Sequence, residues 1–128
     1  MVKLIDQIRV VREQAEADEA AETARREAQR IEGERIQREN GRISAQTDIP
    51  HITARILGKV KNLTYVHSEP VVDNCSGAFS PYHEAYSEAI IEHFKAEGLT
   101  VRLATLPVYQ GGVVVAHTYT VDFSWLHA

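Results

Sequence analysis

The chain has 128 residues, 44% hydrophobic and 25% charged, with 14 Lys plus Arg, 18 Asp plus Glu and a formal net charge of −4. That is the composition of one small globular domain with room for an appendage, and its gross charge speaks against a strongly basic nucleic-acid binder. One cysteine excludes an internal disulfide framework, no apolar run approaches the ~20 residues a membrane helix needs, and Asp6 and Arg9 interrupt the opening too early for a signal peptide. The expectation is an intracellular protein without membrane contact.

Averaging hides two different halves. Residues 1–45 carry nine basic and ten acidic side chains, whereas every aromatic residue, histidine and proline lies after residue 45. The first stretch, rich in Ala, Glu, Arg and Gln, reads as a long exposed or coiled-coil helix from about Val2 to about Ile43. Gly33 and Gly41 are its weak points, each costing roughly 1 kcal/mol against Ala. Thr47, Asp48 and Pro50 supply the stop. The expected organisation is a helical oligomerisation arm over 1–45, a linker or short helix over 46–59, and an α+β head over 60–128.

Apolar positions in the arm step as a coiled coil does. Leu4, Ile8, Val11 and Ala15 are spaced 4, 3, 4; Ala17, Ala21, Ala24, Ala28 and Ile31 are spaced 4, 3, 4, 3, with a discontinuity between the two series. These nine residues are the expected self-association positions. Charge suggests their orientation. Residues 13–22 hold five acids and no base, while Arg25, Arg26, Arg30, Arg35, Arg38 and Arg42 dominate residues 25–42. A parallel pair in register sets like charges together, whereas an antiparallel pair centred near Thr23 sets the acidic block against the arginines. Antiparallel self-association is therefore expected. The same six arginines define the alternative, a stripe that contacts a polyanion such as single-stranded nucleic acid.

The head opens with an expected strand within Val60–His67 and a polar connection over Ser68–Phe79. Ser80 as cap, Pro81 at the first helical position and Gly98 as stop delimit a helix whose inner face is Tyr82, Ala85, Tyr86, Ala89, Ile90 and Phe94. A strand from Val101 turns at Gln110-Gly111-Gly112. The return strand alternates strictly, with Val113, Val115, His117, Tyr119, Val121, Phe123 and Trp125 on the inward face and Thr118, Thr120, Asp122 and Ser124 outward. The fold class is therefore α+β: a long helix followed by a β-α-β-β head, one helix packed on an antiparallel or mixed sheet.

Chemistry-bearing motifs are sparse. His83-Glu84 lacks the second histidine of a zinc-binding HExxH, Cys75 has no activating neighbour, and Gly111-Gly112 precedes neither a lysine nor a helix. No catalytic, metal-binding or cofactor-binding residue is assigned, no cofactor is expected, and the expected class is a non-enzymatic binding protein.

The segment YSEAIIEHFKAEGLTVRL followed by HTYTVDFSW, within roughly residues 78–125, resembles small accessory or virion-associated proteins of tailed bacteriophages. In that pattern an amphipathic helix ends in x-x-Gly-x-x-Val and a hairpin closes on Ser-Trp. The resemblance transfers no functional residues. It covers none of the arm, and it implies a phage-encoded accessory or virion component, in the host cytoplasm or in a virion. Together with the residue pattern, the expected function is a structural or assembly protein whose arm self-associates and whose head docks other protein subunits through an edge strand or its Thr-rich sheet face.

Overall fold

The computed structural model describes residues 1–126. The elements run in the order α1 (Leu4–Lys61), β1 (Val66–Cys75), α2 (Pro81–Ala96), β2 (Thr100–Gln110) and β3 (Val113–Ser124). The chain is α+β, and its three strands form one antiparallel sheet in the order β1-β3-β2. Two compact units are separated between Arg35 and Ile36, earlier than the boundary expected at residue 45.

Residues 46–59 are neither a linker nor a separate helix, because α1 continues through Pro50 to Lys61. Proline inside a helix costs about 3 kcal/mol. Against this, Ile49, Ile52 and Ile56 are buried in the core, and each buried side chain of that size contributes about 1.5–3 kcal/mol. Burial outweighs the break. Pro50 itself is exposed, and Asp48 lies inside the helix rather than at its end. Its carboxylate instead accepts a hydrogen bond from the Tyr86 hydroxyl at 2.7 Å. The helix ends where Leu63 takes a left-handed φ of 59° and the backbone N–H and hydroxyl of Thr64 return to the Lys59 carbonyl.

β1 therefore starts later than expected, at Val66, and occupies most of the segment expected as a connection. Extended pairing with β3 satisfies its backbone, and the register shifts between Pro70 and Val72, and again before Cys75, accommodate its proline and polar residues on an edge strand. The α2 expectations hold closely. Ser80 accepts the His83 N–H at the N-cap, Pro81 takes the first turn, and Gly98 has φ +94°. The β2–β3 turn consists of Gly111 and Gly112, with φ of 61° and 80°, as a two-residue hairpin requires.

The core of the second unit gathers Ala45, Ile49, Ile52 and Ile56 from α1, Ile90 and Phe94 from α2, Val101 from β2, and Val121 and Phe123 from β3. Phe94 meets Phe123 edge to face at 5.1 Å. Gly41, read from sequence as a weak point, is buried against α2: a Cβ there would overlap the Tyr82 carbonyl oxygen and come within 3.1 Å of the Tyr86 nitrogen. Its missing side chain is what lets the two backbones approach.

Candidate self-association surface

In the first unit no residue of Met1–Arg35 is buried. Leu4, Ile8 and Val11 are 70%, 48% and 68% exposed. Together with Gln7, Arg12 and Ala15 they line one shallow apolar groove along α1. These four apolar positions of the first series are brought onto one side of the helix, as their spacing requires. The second series is not placed with them. Because α1 is regular and unbroken here, the two-residue step from Ala15 to Ala17 turns the seam by about 200°. Ala17, Ala21, Ala24, Ala28 and Ile31, all exposed, therefore lie on the far side. One helix thus carries two apolar stripes, a larger-residue stripe near its start and an alanine stripe after it.

The arginines are engaged within their own helix. Arg25 and Arg26 both reach Glu22, Arg30 bridges Glu27 and Glu34, Arg35 binds Glu32, and Arg42 lies 4.0 Å from Glu39. Hydrogen bonds from Arg30 and Arg35 hold the Glu27 and Glu32 carboxyls below the usual carboxylate range, and the same contact with Glu27 raises Arg30. Arg38 belongs to the second unit and pairs with Glu84 of α2 at 3.1 Å. The six residues of the expected polyanion stripe are therefore charge-compensated. Among the described residues, Glu13, Glu16, Asp18 and Glu19 have no ion-pair partner, and with Arg12 beside them also unpaired they leave an uncompensated net negative charge in this stretch of the arm.

A second polar cluster, not found from sequence, lies between α1, α2 and β1. Ser44 accepts from the Tyr82 hydroxyl, Asp48 accepts from Tyr86, and Arg55 donates twice to Glu69, which His67 Nε2 also meets at 2.7 Å. Burial alone would raise the Glu69 carboxyl; hydrogen bonds and charge from Arg55 and His67 outweigh it and hold the group below its ordinary value. Burial and the Asp48 hydrogen bond push the Tyr86 phenol up. A carboxylate gripped by a guanidinium and hydrogen-bonded to an imidazole is a poor base, and a phenol tied to a carboxylate is a poor acid. The cluster braces α1 against its neighbours and offers no open proton-transfer pair. Among the described residues His67 is the buried histidine, its side chain 8% exposed and its ring stacked 6.0 Å from Phe123. Of the row expected inside, Val113 and Val115 are 64% and 44% exposed, because the hairpin end of the sheet extends past the helices' core, and His117 is only half-buried, opposite Cys75 and Pro107. The one sequence hint to His67 is its alternation with Glu69, hidden because Pro70 and Asn74 give that stretch the look of a loop.

Cys75 is half-buried, with its thiol 3.4 Å from the Gly77 carbonyl oxygen. Among the described residues no group of three His, Cys, Asp or Glu side chains is arranged to hold a metal ion, and no helix is long and apolar enough to cross a membrane. Compared with protein-family models, curated proteins and solved structures, the chain matches none.

Proposed function

We propose that the protein is a non-enzymatic assembly component whose N-terminal helical arm associates with the arm of another copy, and whose α+β unit meets other subunits. The observation that carries this reading is the groove of Leu4, Ile8, Val11 and Ala15, apolar side chains aligned on a helix that buries none of them. An isolated helix gains little from propensity alone and draws its stability from covering such a face. The uncompensated acids at 13–19 favour an antiparallel pair centred near Thr23, because a parallel pair in register stacks them on each other. The alanine stripe offers a second, closer and weaker contact. A phage particle is a setting that suits such a component, on the strength of the resemblance in residues 78–125.

Single-stranded nucleic acid is the less favoured ligand, since a phosphate contacting Arg25, Arg26, Arg30, Arg35 or Arg42 has to displace a glutamate already there. Sedimentation distinguishes the readings. The intact chain is expected to sediment at no less than twice its 14.4 kDa, and Ile8→Glu with Val11→Glu is expected to return it to the monomer with the second unit still folded. A monomeric wild-type chain that shifts a labelled oligonucleotide in a salt-sensitive way favours the alternative instead.

A further inference from the structure

The sheet has two outer edges, and the fold treats them differently. On β1 the outer edge is irregular, carrying Pro70, Asp73 and two register shifts. Proline, charge and bulges are the usual ways of blocking an edge from further pairing. On β2 the strand is regular, paired with β3 without a shift from Thr100 to Val108. Among the described residues no strand pairs with its other side. Pro107 has no N–H to offer, which ends the usable run and leaves Thr100–Leu106, TVRLATL. Arg102 is the one charged residue in that run, and the chain has no Asp, Glu, Lys or Arg from Leu103 through Val121. Leu106 and Tyr109 are exposed, and Leu103 partly so.

We propose that β2 of a second copy pairs antiparallel with this edge, about a two-fold axis through Leu103. Leu103 is the midpoint of the run before Pro107, so this register uses every residue of it. Charge selects the same register. With the axis at Leu103, Arg102 faces Ala104 of the other copy; an axis at Arg102 sets arginine against arginine, which is unfavourable. The remaining pairs are Leu103 on Leu103, Val101 on Thr105 and Thr100 on Leu106, with apolar or β-branched residues in each. The edge is self-complementary, as an isologous two-fold contact requires, and its neutrality gives a charged foreign strand little to recognise beyond Arg102, which already lies 3.9 Å from Asp122.

Seven paired residues cover far less than the ~800 Å² per partner of a stable dimer, so the contact is weak by itself and acts between copies that are already concentrated. The edge contact stands on β2 alone; its role in assembly rests on the proposed self-association of the arm. A subunit with two different two-fold contacts does not stop at two copies.

Cysteine pairing tests the register. Residues directly opposite in such a pair have Cβ atoms about 4.5–5.5 Å apart, close to disulfide reach. In a Cys75→Ser background, Leu103→Cys is expected to form a disulfide dimer under copper phenanthroline at least tenfold faster than Leu106→Cys. Equal rates for the two variants overturn the proposal, including the outcome in which the protein still sediments as an arm-dependent oligomer, where self-association of the arm survives alone. Adding Ile8→Glu and Val11→Glu slows both reactions while preserving the Leu103 preference; loss of the preference there places the contact outside β2 and overturns it too. Leu103→Lys, with strand content checked by circular dichroism, is expected to reduce the largest sedimenting species by at least half. A mass unchanged from wild type counts against the edge contact.

Discussion

The stretch of α1 before Arg35 and the stretch after Ile36 share a backbone conformation and little else. From Gly41 onward, buried positions recur at Gly41, Ala45, Ile49, Ile52 and Ile56, and they are covered by α2 and the sheet. At the start, Leu4, Ile8, Val11 and Ala15 recur with nearly the same spacing and are covered by nothing within the unit. The contrast shows that periodicity states that a helical face needs cover without stating what supplies it. A second lesson concerns charge. The arm's ion pairs run along one helix and are solvent-exposed, a class of contact worth little each, while the second unit also has pairs that cross between elements, as Arg55–Glu69 and Arg38–Glu84 do.

The largest expected effect separates the two stretches most sharply. Phe123→Ala removes a ring that is 1% exposed and contacts both Phe94 and His67; denaturant unfolding is expected to show a loss of about 3–5 kcal/mol. Val11→Ala, on the uncovered groove, leaves the monomer's unfolding free energy unchanged and weakens self-association instead. A large loss of monomer stability from Val11→Ala would erase the distinction.

Two glycines of the same helix make a finer comparison. Gly41→Ala forces a methyl group against the backbone of Tyr82, and equilibrium unfolding is expected to show about 1–3 kcal/mol of destabilisation. Gly33→Ala meets nothing within 4 Å, so helix propensity alone acts and stabilises by up to about 1 kcal/mol. Opposite signs are the expected result from a pair that sequence treats alike.

The polar brace gives a smaller, pH-dependent effect. The Glu69 carboxyl is held below its ordinary value of 4.5 in the folded state, so its contribution is present above that value and is lost as pH falls through the folded pKa. Glu69→Gln is expected to cost about 1–2 kcal/mol at neutral pH and to flatten the acid limb of a stability-against-pH curve measured by urea titration. An unchanged acid limb contradicts the role assigned to this carboxylate.

The α+β class, the limits of α2, the glycine turn and the inward row of Val121 and Phe123 were legible because each rests on local chemistry: a cap, a positive φ, strict alternation. What was misread depended on partners distant in sequence. Pro50 marks a helix end by local rules, and three buried isoleucines override it. Pro70 and Asn74 resemble a loop until β3 offers a ladder. Gly41 looks like a defect until the Tyr82 carbonyl is placed beside it. In the arm, the two apolar series were legible, and only the unbroken geometry of α1 puts them on opposite sides.

Hydrogen exchange of the intact protein tests most directly whether residues 4–35 associate with another copy. Their backbone lies on a helix with no buried residue in that stretch, so its own hydrogen bonds open readily, and strong protection there has to come from a second chain. Amide protection over residues 4–35 is expected to rise with protein concentration, and to disappear on dilution or in Ile8→Glu with Val11→Glu, while protection of α2 and β3 stays constant. Protection of residues 4–35 that is the same at every concentration, in a chain that sediments as a monomer, would contradict self-association through this helix.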